Sequence, residues 1–232
     1  MIPWLESESA FPPLEVAMRE PNGLIAVGGD LSVQRLLDAY RHGIFPWFSY
    51  DQPILWWSPD PRMVLFPDEL KVSRSLAKRL RRRDYEVRTD TAFREVMQAC
   101  GSVPREQQRG TWITPEIIEA YCALHDLGYA HSVETWMNGE LVGGLYGVAI
   151  GKIFYGESMF HRVTDASKIT FVHLSRWLQM RGYGMIDCQM HTPHLASLGG
   201  RDIPRHEFAT LLKQLINYPH ATRKWEFNDA IE

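Results

Sequence analysis

The chain is poor in cysteine, in long apolar runs and in excess charge of either sign. Only three cysteines occur in 232 residues, Cys100, Cys122 and Cys188, far apart and without a C-x-x-C spacing. That pattern argues against a disulfide framework or a zinc ribbon and fits a reducing compartment. No apolar run approaches a membrane span, so no membrane partner is expected. The opening stretch "MIPWLESESAFPPLE" lacks a basic segment and a long apolar core, so no signal peptide is expected and a cytoplasmic location follows. Lys and Arg number 25 against 28 Asp and Glu, a net charge of -3, so bulk charge does not make this a polyanion binder. A nucleic-acid site would have to be a local patch. Neither an internal repeat nor a low-complexity tract is present.

What the chain does have is ordinary globular composition, 45% hydrophobic and 23% charged, and a high count of eight tryptophans. The first sixty residues are rich in Pro, Gly and aromatics. Within "EPNGLIAVGGD", Asn22-Gly23 signals a turn. Ser32 to His42 reads as a short helix with Leu36, Leu37 and Tyr40 inward and Gly43 as the stop; Ser32 and Asp30 compete as its N-cap. "GIFPWFSYDQPILWWSPDPR" follows, read as an irregular loop. A small N-terminal domain over residues 1–61 and a larger one over 62–232 are expected.

In "KVSRSLAKRLRRR", Val72, Leu76 and Leu80 share one helical face while Arg74, Lys78, Arg81 and Arg82 recur on the opposite one. A lone basic face is most often a solvated surface. This one has no acids interleaved, which favours a polyanion partner. Further on, Thr114 and Pro115 open a helix that Gly128 closes. "HSVETWM" and "ELVGGLYGVAI" alternate like strands and are joined by Asn138-Gly139, a strong hairpin signal. "KIFYGESMF" returns as a third strand. "DASKITFVHLSRWLQMRG" is a long helix, "GMIDCQM" another strand, and a last helix follows Pro204. Meander, helix, strand and helix describe an α+β layer, a curved mixed sheet flanked by helices. The order resembles the acetyltransferase-like (GNAT-type) N-acyltransferase fold.

Chemistry concentrates in two strands. In "GESMF", Glu157 is a lone acid among apolar or small residues, costly unless paired or used. Gly156 is a candidate bulge that would re-aim it. In "MIDCQM", strict alternation puts Asp187 and Gln189 on one face and Ile186, Cys188 and Met190 on the other. Glu157, Asp187 and Gln189 converging beside apolar Phe154, Met159 and Ile186 would have the make-up of a small-molecule site. Other motifs fail. Ser158 lacks the second glycine of a nucleophile elbow, and His191 and His194 in "HTPH" have no third metal ligand at suggestive spacing. The segment "FHRVTDASK" lacks the glycine turn that would hold a coenzyme A pyrophosphate.

The stretches "REPNGLIAVGGDLS", "YRHGIFPWFS", "LWWSPDPR", "GTWIT", "HSVE", "LVGGLYGVAIGKIFYGESMF", "ASK", "IDCQ" and "HLASLGGRDIPR", in this order over nearly the whole chain, resemble the bacterial leucyl/phenylalanyl-tRNA–protein transferases. The resemblance implies a small N-terminal domain plus an acetyltransferase-like domain, no metal and no cofactor. It implies transfer of Leu or Phe, with Met a further candidate, from aminoacyl-tRNA to proteins beginning with Arg or Lys, creating a signal for ATP-dependent proteolysis. Gln189 would hold the acceptor α-amine, with Asp187 hydrogen-bonded to its amide and polarising it. Glu157 would meet the amine or the acceptor's cationic side chain. Leu145, Phe154, Met159, Phe171, Leu174 and Ile186 match the donor side-chain pocket, with Leu145 and Leu174 standing where relatives often have Met and Phe. Trp47, Trp112, Tyr40 and Tyr121 are the candidate platforms for the 3′ adenosine, core packing being the alternative for each. The basic stripe would contact acceptor-stem phosphates. A monomer is favoured. The rival functions are another N-acyltransferase of the same fold and a non-catalytic module that binds tRNA or a degradation signal.

Overall fold

The computed structural model describes residues 2–103, 111–219 and 224–227. Gly110 of "GTWIT" lies outside them. In chain order the elements are β1 (Trp4–Leu5), β2 (Leu24–Gly28), α1 (Val33–Arg41), β3 (Phe45–Pro46), β4 (Leu55–Trp57), β5 (Arg62–Leu65), α2 (Arg74–Leu80), β6 (Glu86–Thr89), α3 (Phe93–Ser102), α4 (Pro115–Asp126), β7 (Ala130–Met137), β8 (Glu140–Ile150), β9 (Ile153–His161), α5 (Ala166–Met180), β10 (Met185–Gln189), α6 (Pro193–Ser197), β11 (Arg201–Ile203) and α7 (Arg205–Leu215). They build an α+β molecule with two sheets. A four-stranded sheet has the order β1-β2-β4-β3, and a seven-stranded mixed sheet the order β11-β5-β10-β9-β8-β7-β6.

Local chemistry explains most boundaries. Ser32 accepts the Arg35 amide and caps α1, while Asp30 instead accepts the Ser32 amide. Gly43 ends α1 at φ +74°, and a Cβ there would come within 2.7 Å of the Phe208 ring, so only glycine lets α7 close on this corner. Thr114 caps α4 through the Ile117 amide. Asn138 and Gly139, at φ +51° and +79°, make the two-residue turn between β7 and β8. The loop expected over residues 43–62 is a correction: β3 and β4 lie inside it. The pairing of β4 with β2 and of β3 with β4 reads poorly in sequence because prolines and short runs hide the alternation.

The seven-stranded sheet separates two apolar cores. On one face, Tyr146, Tyr155 and Val64 pack with α3, α4, α7 and the whole N-terminal region, including Ile25, Leu36 and Tyr40. On the other, Leu145, Phe154, Ile186 and Leu65 pack with Leu76 of α2 and Phe171, Leu174 and Leu178 of α5. Neighbours in sequence thus serve opposite faces, as strand geometry requires. Trp225 packs at a tilt against Trp177, 4.4 Å between ring centres, and against Phe154 at 5.7 Å, closing the second core from outside.

Candidate active site

Two bulges at the centre of the sheet position the site. On β9, Ser158 pairs with Tyr146 and Gly156 with Gly147, so Glu157 is the extra residue with no partner across the ladder. On β10, Asp187 pairs with Val64 and Gln189 with Met63, leaving Cys188 unopposed. Gln189 then sits at φ +62°, in the left-handed region that a side-chain-bearing residue adopts only when its surroundings hold it.

This bulge breaks the alternation expected of "MIDCQM". Asp187 stays on the face of the N-terminal region, fully buried, where its carboxylate is bidentate with the guanidinium of Arg62: Nε to Oδ1 at 2.8 Å and Nη2 to Oδ2 at 2.6 Å. Cys188 and Gln189 both reach the cavity on the other face. The expected hydrogen bond between the Asp187 carboxylate and the Gln189 amide side chain is therefore corrected. Asp187 Oδ1 accepts the main-chain N–H of Gln189 at 2.9 Å, while Gln189 Nε2 donates to Glu157 Oε1 at 2.8 Å. Cys188 does not point away from Gln189, but burial pushes its thiol well up, which leaves it a poor nucleophile.

Glu157 is 9% exposed, and among the described residues no cation is bonded to it. Besides the Gln189 amide it accepts the Tyr121 hydroxyl at 3.2 Å, and that hydroxyl in turn meets the Tyr40 hydroxyl. Burial raises its pKa to about 7, against the hydroxyl hydrogen bonds that favour the anion; the nearby Asp187 charge adds to the rise. An ionised Glu157 only accepts, so it fixes the Gln189 amide with Nε2 inward and Oε1 outward.

Beside this pair lies a cavity of about 410 Å³. Leu145, Phe154, Met159, Phe171, Leu174 and Ile186 line it, all six positions matched to the donor pocket, with Glu157 and Gln189 as polar groups. Its outer wall, which sequence reasoning missed, comes from Met190, Thr192, His194 and Leu195 at the start of α6. An apolar chamber with a few placed polar groups suits a small apolar side chain carrying a reactive head.

The proposed adenosine platforms fare differently. Tyr40, Tyr121 and Trp112 are buried in the first core, the packing alternative stated for each, and Tyr40 of α1 meets Tyr121 of α4 through their hydroxyls. Trp47 is half-buried, edge-on to Trp57 at 5.7 Å. Arg74, Lys78, Arg81 and Arg82 are all exposed, but α2 ends at Leu80, so Arg81 caps it and Arg82 lies beyond. Asp84, outside the expected stripe, pairs with Arg79 and with Arg82 at 3.2 Å. Among the described residues no group of three or more His, Cys, Asp or Glu is placed to hold a metal ion.

Sequence reasoning also missed Arg62. Its signal was available: it is the only cation in "RMVLF", and Asp187 is the only acid in "MIDCQM". Two lone opposite charges in two apolar strands call for one another.

The chain matches known proteins over nearly its whole length. The leucyl/phenylalanyl-tRNA protein transferase model matches residues 64–213, and the model of that family's N-terminal domain matches residues 29–60. A leucyl/phenylalanyl-tRNA–protein transferase of Nitrosospira multiformis is 65% identical over 228 residues, 98% of each chain. One of Chromobacterium violaceum is 63% identical, covering 98% of this chain and 97% of that one. Solved structures with some likeness include L-PGS from Bacillus licheniformis, at 13% identity and a TM-score of 0.40 over 74% of this chain and 57% of that one. Another is a GCN5-related N-acetyltransferase from Kribbella flavida, at 13% identity and 0.38 over 71% and 58%. The two family models and the near full-length identity make this chain a member of the leucyl/phenylalanyl-tRNA–protein transferase family.

Proposed function

We propose that this aminoacyltransferase moves Leu or Phe, and Met as a further donor, from tRNA to the α-amino group of proteins beginning with Arg or Lys, so marking them for ATP-dependent proteolysis. The observation that carries the reading is the apolar chamber with the Gln189–Glu157 pair at its polar end. The donor's side chain occupies the chamber, and its ester carbonyl stands near Gln189 Oε1. That oxygen accepts a hydrogen from the acceptor's α-amine. The amine's pKa of about 8 leaves a useful neutral fraction near pH 7. Its lone pair attacks the ester carbon, the bond to the ribose oxygen breaks, and the amine proton leaves with that oxygen. Glu157 holds the amide by accepting Nε2–H, and its charge favours the positive charge that develops on the attacking nitrogen. No enzyme nucleophile is required because the donor ester is already activated.

Residues 1–61 and 62–232 act as the two domains in this reading, and the exposed Arg74, Lys78, Arg81 and Arg82 face the tRNA backbone. Trp47 is the platform left for the 3′ adenosine. Charged tRNA is a cytoplasmic reagent, and the enzyme acts there as a monomer; no helix among the described residues is long and apolar enough to cross a membrane.

The direct test mixes the protein with labelled Leu-tRNA and peptides starting with Arg or Asp. Label on the Arg peptide alone is expected. No label on either contradicts the reading, and label on the Asp peptide contradicts the acceptor rule. Reversing charge at Arg74 and Arg81 is expected to weaken tRNA binding and flatten its salt dependence; each lost phosphate contact lowers the log–log slope by about 0.7 to 0.9.

A further inference from the structure

The guanidinium of Arg62 is 1% exposed at the junction of three parts of the chain. Its carbon lies 4.8 Å from the ring centre of Phe45 in β3 and 4.6 Å from that of Phe208 in α7. Its fork holds both oxygens of Asp187 in β10. Oδ1 of Asp187 has a second donor, the main-chain N–H of Gln189, and the two residues flank the bulge at Cys188. One carboxylate oxygen thus ties the fixed guanidinium to the main chain of a residue at positive φ. Release of that tie frees Gln189 to relax toward ordinary strand geometry, which would carry its amide away from Glu157.

We propose that Arg62 is the positioning residue for Gln189. Its planar fork, seated against Phe45 and Phe208, holds Asp187 so that Asp187 fixes the backbone from which the Gln189 amide reaches the reacting amine. The N-terminal sheet and α7 thereby belong to the catalytic apparatus without touching substrate. Asp187, neutralised by Arg62 and spent on a main-chain N–H, acts through geometry, and Glu157 is the carboxylate that polarises the amide. The inference rests on the transfer reading above and adds to it the origin of Gln189's orientation.

Two variants test it. Arg62→Lys keeps the charge and roughly the length but loses the fork and the flat face against the rings. The double variant Arg62→Met/Asp187→Leu replaces the ion pair with apolar side chains, a change that often leaves stability unharmed while removing the tie. The assay is single-turnover transfer from Leu-tRNA to an Arg peptide at saturating donor, with donor affinity measured separately and folded fraction measured by thermal unfolding. The expected result in each folded variant is a loss of about 10- to 100-fold in the transfer rate, with donor affinity unchanged, because the cavity is lined by other residues. Wild-type transfer in either folded variant overturns the proposal. So does an equal loss in rate and donor affinity, which would make Arg62 a general structural residue. Should Arg62→Lys fail to fold, the double variant decides. If the unaltered protein transfers nothing, the transfer reading itself is what has failed, so the two failures are distinguishable.

Discussion

The two faces of the seven-stranded sheet treat a buried carboxylate in opposite ways. Asp187 points toward the N-terminal region and meets a guanidinium bidentately. Glu157, displaced by its bulge, is bonded to a tyrosine hydroxyl and an amide and, among the described residues, to no cation. Both groups are taken out of water, yet only the second carries the full cost of being charged there, which is why its pKa rises to about 7. The difference separates holding from reacting. A paired carboxylate fixes geometry, whereas an unpaired one responds to the proton and charge changes of a reaction.

The comparison breaks most visibly at Asp187. Asp187→Ala leaves Arg62 charged and alone between two strands and α7, and a loss of about 3–5 kcal/mol in unfolding free energy is expected. Denaturant unfolding checks this, and an unchanged midpoint would mean the pair contributes little. Next in size is Gln189→Ala. It removes the acceptor for the amine while leaving the cavity walls in place, so the transfer rate at saturating tRNA should fall about 100-fold with donor affinity kept. Equal losses in both would remove Gln189 from the chemistry. The smallest effect belongs to Tyr121→Phe, which deletes one donor to Glu157 and so raises its pKa further. Transfer should fall a few-fold at pH 7 and recover at pH 9, where Glu157 is ionised in both proteins. A loss that persists at pH 9 would show that the hydroxyl does something other than hold the anion.

Much of this contrast was legible in the sequence because its signals are local. The lone acid in "GESMF" marked Glu157, and Gly156 announced the bulge that re-aims it. Cap residues Ser32 and Thr114 and the Asn138-Gly139 turn set three boundaries correctly. The long α5 and the strands β7 to β10 follow from periodicity. What stayed hidden depends on contacts distant in sequence. Arg62 and Asp187 are 125 residues apart, so each reads as a lone charge in an apolar strand but no short-range cue shows that they pair. The bulge at Cys188 carries no glycine to betray it, so alternation put Gln189 on the face of Asp187, whereas its side chain reaches Glu157 on the other. Tyr40 and Tyr121 looked like stacking platforms, because sequence alone does not distinguish a recognition ring from a core ring that holds a hydroxyl against a carboxylate. Asp84 lies just past the basic stripe, and only the turn after α2 folds it back onto Arg79 and Arg82.

Glu157→Gln, followed in both stability and transfer, tests the account most directly. The folded state keeps the Glu157 proton up to about pH 7, whereas the unfolded chain releases it near 4.5. Stability therefore falls as pH rises through that window, by up to about 3 kcal/mol once the group is ionised. The variant has no such charge to bury. At pH 8 it should be more stable than the unaltered protein by a sizeable part of that amount and should transfer more slowly, with the extra slope of stability between pH 4.5 and 7 gone. A variant that is less stable at pH 8, or that transfers Leu at the unaltered rate, would contradict the claim that Glu157 is the strained, working carboxylate of this site.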